Sequence, residues 1–188
     1  MEHVEERIAA RPGLPFLGLP HHRAYIVTDL ARATADWHRL TGIGPFIVVP
    51  HVQFDELTVC GAPSTLDHTA AFAAFGTEFI ELQVIHGISP EARAAYGADA
   101  ASGAALHHMA FAVSDPGRAS AQLTAAGAPR TVTASGGGLD VVLHDARQFT
   151  GARIEVHRDT DFFRAFFEEV RSAARHWDGR ELMKPFGG

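Results

Sequence analysis

The chain is poor in cysteine. Cys60 is the only one in 188 residues, so no internal disulfide can form and the fold must be held by its core. A lone small residue of this kind is expected to be buried. Positive charge is also short: 16 Lys and Arg stand against 22 Asp and Glu, a formal net charge of −6. That balance argues against nucleic acid or an anionic membrane as the main partner. No apolar run is long enough to span a bilayer. The first residues, Met1-Glu2-His3-Val4-Glu5-Glu6, are acidic and carry no apolar signal core. A cytoplasmic protein is expected. What the chain does have is an ordinary globular composition, 46% apolar and 20% charged, and twelve histidines. The length suits one domain with a sizeable core, or two small halves packed together.

Two of the histidines head a repeat. Leu106-His107-His108-Met109-Ala110-Phe111-Ala112-Val113-Ser114-Asp115 reads as a buried strand running into a capped helix, and His22-Arg23-Ala24-Tyr25-Ile26-Val27-Thr28-Asp29 does the same. At an offset of 86, His22 falls on His108, Ala24 on Ala110, Tyr25 on Phe111, Val27 on Val113 and Asp29 on Asp115. A second anchor lies further on, where Ile80-Glu81 matches Ile154-Glu155 at an offset of 74. The first copy therefore holds about a dozen extra residues between its helix and its last strand.

In chain order, residues 1–20 read as an arm broken by Pro12, Gly13, Pro15, Gly18 and Pro20, whose apolar residues lie on a surface. Module one (21–86) offers a strand at 23–28, then a helix with the stripe Leu30, Ala33, Trp37 and Leu40 that ends at Gly42. Strands follow at 46–49 and 54–60, a turn at 61–64, and strands at 69–75 and 79–85. Residues 87–105 form a linker, with a helical turn at 90–96 and a small, glycine-bearing stretch after it. Module two (106–157) repeats the order: a strand, a helix with Pro116 at its first position, then strands at 131–134, 139–144 and 153–157, with a hairpin turn at 136–138. The tail, 158–188, carries an amphipathic helix with Phe162, Phe163, Phe166, Phe167 and Val170 on one face. That face suits core cover, a dimer contact or the mouth of a pocket.

Strands alternate faces with a period of two. Tyr25 and Val27, with Met109, Phe111 and Val113, give the bulky side that must meet the helices. His22 and His108 then project the other way, among Ala24, Ala110 and Ala112. In the last strands Ile80, Leu82, Ile154 and Val156 pack, leaving Glu81, Gln83, Arg153, Glu155 and His157 opposite. By the same alternation His21 and His107 point toward the helices. A buried, unpaired carboxylate costs several kcal/mol, of order ~3 or more. Two carboxylates and two imidazoles on one face meet that cost either around a divalent metal or as two structural His–Glu pairs.

The stretches His22-Arg23-Ala24-Tyr25 with Asp29, Phe79-Ile80-Glu81-Leu82, Leu106-His107-His108-Met109-Ala110-Phe111 and Arg153-Ile154-Glu155-Val156 resemble the vicinal oxygen chelate superfamily of glyoxalase I, methylmalonyl-CoA epimerase, extradiol dioxygenases and fosfomycin and bleomycin resistance proteins. The likeness is greatest to the epimerase and glyoxalase-like branch and covers residues 21–157. It implies an α+β fold in which two βαβββ modules build one cupped mixed β-sheet, here with an extra C-terminal helix. It implies metal ligands at His22, Glu81, His108 and Glu155, with Gln83 in reserve.

Such a donor set suits Zn²⁺, Mn²⁺, Co²⁺ or Ni²⁺. The expected activity is that of an isomerase, epimerase or lyase working on a small oxygenated substrate through a metal-stabilised enolate, with Glu155 or Glu81 as the base. His51 and His68 are further candidates for a catalytic role. Two alternatives are an Fe²⁺ extradiol-type dioxygenase using His22, His108 and Glu155, and a non-catalytic binding or resistance protein. Glu81 speaks against the dioxygenase, because it fills a position that O₂ or a catechol needs. No basic cluster suggests a phosphate or coenzyme A clamp. A homodimer is expected.

Overall fold

The structure is a computed structural model that describes residues 16–98 and 103–187. Most of the expected N-terminal arm lies outside the described residues. Of its end, Leu17 packs beside Phe111 and Leu123, whereas Phe16 and Leu19 are exposed.

β1 (His22–Val27) leads into α1 (Leu30–Thr41), and the Asp29 carboxylate accepts the Arg32 N–H at 3.0 Å to cap the helix. α1 lays Leu30, Ala33 and Trp37 on Tyr25, Val27, Ile80 and Leu82. It ends at Gly42, whose φ of 77° is open to glycine at little cost. β2 (Phe46–Val52), β3 (Glu56–Val59), β4 (Ala62–Pro63), β5 (Leu66–Phe75) and β6 (Glu78–Ile88) follow, then α2 (Pro90–Tyr96). The second copy begins with β7 (Ala104–Val113) and α3 (Pro116–Ala125), capped by Asp115 through the Arg118 N–H at 3.0 Å. α3 sets Ala119 and Leu123 on Phe111, Ile154 and Val156. β8 (Arg130–Gly136), β9 (Leu139–His144), α4 (Arg147–Thr150), β10 (Arg153–Arg158), α5 (Asp161–Arg175) and β11 (Met183–Pro185) complete the chain. Both α1 and α3 cover the bulky face read from the alternation. Truncating a residue there, such as Leu82→Ala, should cost about 2–5 kcal/mol.

All strands join one mixed sheet in the order β11-β2-β5-β6-β1-β7-β10-β9-β8-β3-β4. β1 and β7 run antiparallel at its centre, flanked by β6 parallel to β1 and β10 parallel to β7. The two modules are thus related by a pseudo-twofold axis between β1 and β7.

The extra residues of module one form the β3–β4 hairpin, and this hairpin leaves its own module. β3 pairs with β8, setting Leu57 opposite Ala134 and Val59 opposite Val132. Its buried side joins Val141 and Leu143 in the far wall of the cup. The crossing is close enough that a Cβ on Gly136 would stand 2.5 Å from the Asp55 nitrogen, and Gly136 has a φ of 147°. Any side chain there would push the crossing segment away.

Several expectations need correction. Residues 61–64 are not a plain turn, because Ala62 and Pro63 pair with β3. Within the linker the helical turn read at 90–96 is present as α2, but β6 runs on to Ile88, and Ala92, Tyr96 and Ala98 are buried because they fill the core behind β3. Cys60 is exposed, since it sits at the tip of the β3–β4 hairpin with a φ of 50°. Among the described residues no helix is long and apolar enough to cross a membrane.

Candidate metal centre

Strand register places the four predicted side chains. Ala24 lies opposite His108 on β7 and opposite Glu81 on β6. Ala110 lies opposite His22 on β1 and opposite Glu155 on β10. Laterally paired residues project to the same face. Two fully buried alanines therefore carry the four polar groups around them, and their small size leaves the space above free.

The groups converge. His22 Nε2 is 3.1 Å from Glu81 Oε2 and 3.9 Å from Glu155 Oε1. His108 Nε2 is 3.5 Å from Glu81 Oε2 and 3.1 Å from Glu155 Oε1. His22, Glu81 and His108 bring one ligand atom each to within 4.8 Å of one another, and so do His22, Glu155 and His157. Both imidazole Nε2 atoms are buried without a hydrogen-bond partner, although carboxylates stand beside them. Both nitrogens stand 3.1 Å from a carboxylate oxygen, and once deprotonated each would present a lone pair to the centre of the cluster.

The charges point the same way. Burial raises the pKa of Glu81, but contacts with His108 and His22 outweigh it, so the carboxyl is held below its ordinary value. Burial likewise opposes ionisation of Glu155, and the charges of His108 and His157 bring it well below the usual carboxylate range. Burial lowers His22 more than Glu81 can lift it. For His108, burial is overcome by Glu155 and Glu81, and the pKa rises to about 10. Two ionised carboxylates buried together are the kind of charge that a divalent cation would neutralise. The donor set, two imidazoles and two carboxylates, fits Zn²⁺, Mn²⁺, Co²⁺ or Ni²⁺.

Behind these groups stand others. Gln83 donates to Glu81 Oε1 at 2.7 Å and accepts from the Tyr96 hydroxyl at 3.2 Å. The expected reserve ligand is thus engaged in holding Glu81. His157 Nε2 donates to Glu155 Oε1 at 2.6 Å. Alternation puts His157 on this face, two residues beyond Glu155, but the family resemblance does not place a ligand there. Tyr96 carried no signal in the sequence.

His107 corrects the alternation argument. It does not turn to α3. The β1–β7 register slips between Ala24 and Tyr25, so two β1 residues oppose three on β7, and His107 is the extra one. The bulge brings His107 alongside His108, with Nδ1 to Nδ1 at 2.8 Å, and its Nε2 meets the Tyr96 carbonyl at 2.6 Å. A carbonyl only accepts, so the His107 proton sits on Nε2. Burial, then the charge of His108, lowers the His107 pKa to about 3, so its Nδ1 is bare and accepts the Nδ1–H of His108. This leaves His108 Nε2 facing the carboxylates. His21 likewise lies beside its neighbour, Nδ1 to Nδ1 at 3.2 Å, and its ring packs on Phe79, Phe163 and Phe167 rather than under α1.

Above the cluster is a cavity of about 300 Å³. Val132, Leu139 and Val141 line one wall and Phe72 the other, while α5 adds Phe162, Phe163, Phe166 and Phe167. Phe163, Phe167 and Val170 are buried in the core, so the tail helix is both core cover and pocket lining. His68 faces the cavity from β5, buried, with Nδ1 unpartnered. His51 is exposed at the rim and hydrogen-bonds to the Asp67 carboxylate at 3.0 Å.

Residues 21–142 match the model of a family described as the Glyoxalase/Bleomycin resistance protein/Dioxygenase superfamily. Among solved structures, methylmalonyl-CoA epimerase from Mycobacterium tuberculosis is similar at a TM-score of 0.52 and 20% identity, over 83% of this chain and 99% of that one. A hypothetical protein, BH1468 from Bacillus halodurans C-125, is similar at a TM-score of 0.51 and 16% identity, over 76% and 95%. Identities this low speak for the fold alone. No curated protein matches the chain in sequence.

Proposed function

The chain belongs to the glyoxalase/bleomycin resistance protein/dioxygenase superfamily, and from that premise we propose that it is a divalent-metal-dependent isomerase, epimerase or lyase acting on a small oxygenated substrate. The observation that carries this reading is the pair of buried, unpartnered imidazole nitrogens, His22 Nε2 and His108 Nε2, facing two ionised carboxylates. His22, Glu81, His108 and Glu155 would hold the ion. When bound, the ion supplies a Lewis acid for two neighbouring oxygens of the substrate and favours the negative charge that develops there.

The chain's own groups divide the remaining work. Glu81 is fixed by Gln83 and is the less accessible carboxylate, with a side chain 6% exposed against 14% for Glu155. Glu155 is therefore the better placed to take a proton from the carbon beside the bound oxygens. His157, hydrogen-bonded to Glu155, stands where that proton can be passed on. The apolar walls keep bulk water from the reacting carbon.

Glu81 at the centre of the cluster weighs against the dioxygenase reading, since it takes a position that a second oxygen ligand needs. A pure binding protein would not need two ionised carboxylates buried under its ligand.

The test is metal analysis of the purified protein, with about one divalent ion per chain expected, followed by exchange of solvent deuterium into α-oxygenated ketones and acids. Protein that stays metal-free and gains nothing from added Zn²⁺, Mn²⁺ or Co²⁺ would overturn the proposal. Oxygen uptake with catechols and Fe²⁺ would instead establish the dioxygenase. The proposal extends to a cytoplasmic homodimer, for which light scattering gives the mass.

A further inference from the structure

α5 begins beyond the segment that matches the family, which ends at residue 142. It lies across the cup on β5, and its face is built of phenylalanines at two depths. Phe163 and Phe167 are locked against Phe79, His21 and His22. Phe162 and Phe166 line the cavity less deeply, Phe162 being 46% exposed. The opposite wall, from β8, β9 and the crossing hairpin, is aliphatic. Polar groups are concentrated at the floor, in His22, Glu81, Gln83, Glu155 and His157, and β5 adds the buried, neutral-leaning ring of His68. Among the described residues no lysine or arginine lines the cavity, and its exposed rim, with His51, Gln53, Gly137, Phe162 and Phe186, brings none.

We propose that α5 is the specificity element of the site, and that the substrate is a small, uncharged molecule with an aromatic or branched apolar body and two neighbouring oxygens at one end. The oxygens go to the floor and the body lies between Phe162 and Phe166 on one side and Leu139 and Val141 on the other. Phosphates and coenzyme A esters are disfavoured on two grounds. Their anionic groups meet no cation in the walls or at the rim, so desolvating them is uncompensated. A cavity of about 300 Å³ also leaves most of a coenzyme A outside. This inference rests on the cup being the reaction site proposed above.

The experiment is calorimetric titration of the Zn²⁺-loaded and the metal-free protein with 2-hydroxyacetophenone, dihydroxyacetone phosphate and propionyl-CoA. The aryl ketone should bind at least about tenfold tighter than either charged probe, as burial of one phenyl ring would give. Phe162→Ala, at an exposed position where folding is not at stake, and Phe166→Ala should each weaken the aryl ketone about three- to tenfold and leave the metal content unchanged. Tighter binding of the phosphate or the thioester, or an unchanged aryl affinity in both variants, would overturn the inference. An aryl preference that is the same with and without Zn²⁺ would uphold the substrate class and overturn the metal-centred reading. Metal bound with no aryl preference would do the reverse.

Discussion

The two halves of the cluster share a backbone plan and differ in everything that braces them. On module one His22 is packed between Phe72 and Phe167, and Glu81 is tied to the neutral amide of Gln83. On module two His108 is backed by His107, and Glu155 is tied to His157. The aromatic surroundings of His22 keep it neutral, whereas His108 holds a proton between two carboxylates. One half thus sets a neutral imidazole beside its carboxylate and the other an imidazolium, and both reach the cavity, through His22 and Glu81 on one side and Glu155 and His157 on the other. Pseudosymmetry of strands fixes where ligands stand. It leaves each half free to set its own electrostatics.

Removing the two histidines separately is the strongest way to break this comparison. His22→Ala and His108→Ala should both abolish tight metal binding, because each supplies a ligand nitrogen. Their effects on the metal-free protein should differ. His108→Ala leaves two buried carboxylates without their main counter-charge and should destabilise by about 3–5 kcal/mol. His22→Ala removes a neutral ring and should cost less than half as much. Urea unfolding in the presence of EDTA measures both. Equal losses would show that the halves are electrostatically equivalent.

The pH profile of the metal-free protein sharpens the same contrast. The His108 pKa is raised to about 10, so its contribution is complete below pH 6.5 and disappears as pH climbs toward 10. His21 and His107 are lowered to about 3, so their contribution is present above pH 6.5 and is lost as pH falls from there toward 3. Glu81 and Glu155, both lowered, add a further loss below their ordinary range near 4.5. The Tm should therefore peak near pH 6.5 and fall on both sides. Zn²⁺ should remove the alkaline fall, because the proton on His108 Nε2 is then displaced, and His108→Ala should remove it without metal. An alkaline arm that persists in His108→Ala would assign it elsewhere.

The parts of this design that follow local rules were legible before the fold was known. Period-two alternation put His22, Glu81, His108 and Glu155 on one face, and Asp29, Gly42 and Asp115 marked the helix ends. What was not legible depends on contacts between distant segments. The bulge at His107 arises where β1 and β7 meet, and nothing within residues 104–113 announces it. The extra residues of module one were visible as an unequal offset, but a strand of four residues does not say which edge it will join, and β3 joins the other module. Cys60 is expected to be buried from its residue type alone, which says nothing of the hairpin tip that carries it into solvent. Tyr96 ends the helical turn read at 90–96, but nothing in that turn says what it packs against, so its place behind both halves appears only with the packing.

Tyr96 is also where the finest test lies, since it touches both halves with different atoms. Its hydroxyl donates to Gln83 and so reaches Glu81, while its backbone carbonyl accepts from His107 and so reaches His108. Gln83→Leu should weaken metal binding by about 10–100-fold, the usual range for losing an outer partner of a ligand. Tyr96→Phe removes only the hydroxyl and keeps the carbonyl. It should cost about 1 kcal/mol of stability and leave the alkaline fall of the metal-free Tm in place, because that fall belongs to module two. Competition with a chromophoric chelator gives the affinity, and the same pH series gives the Tm. If Tyr96→Phe flattened the alkaline arm as His108→Ala does, the two halves would be coupled through this residue and the division between a neutral imidazole and a protonated one would fail.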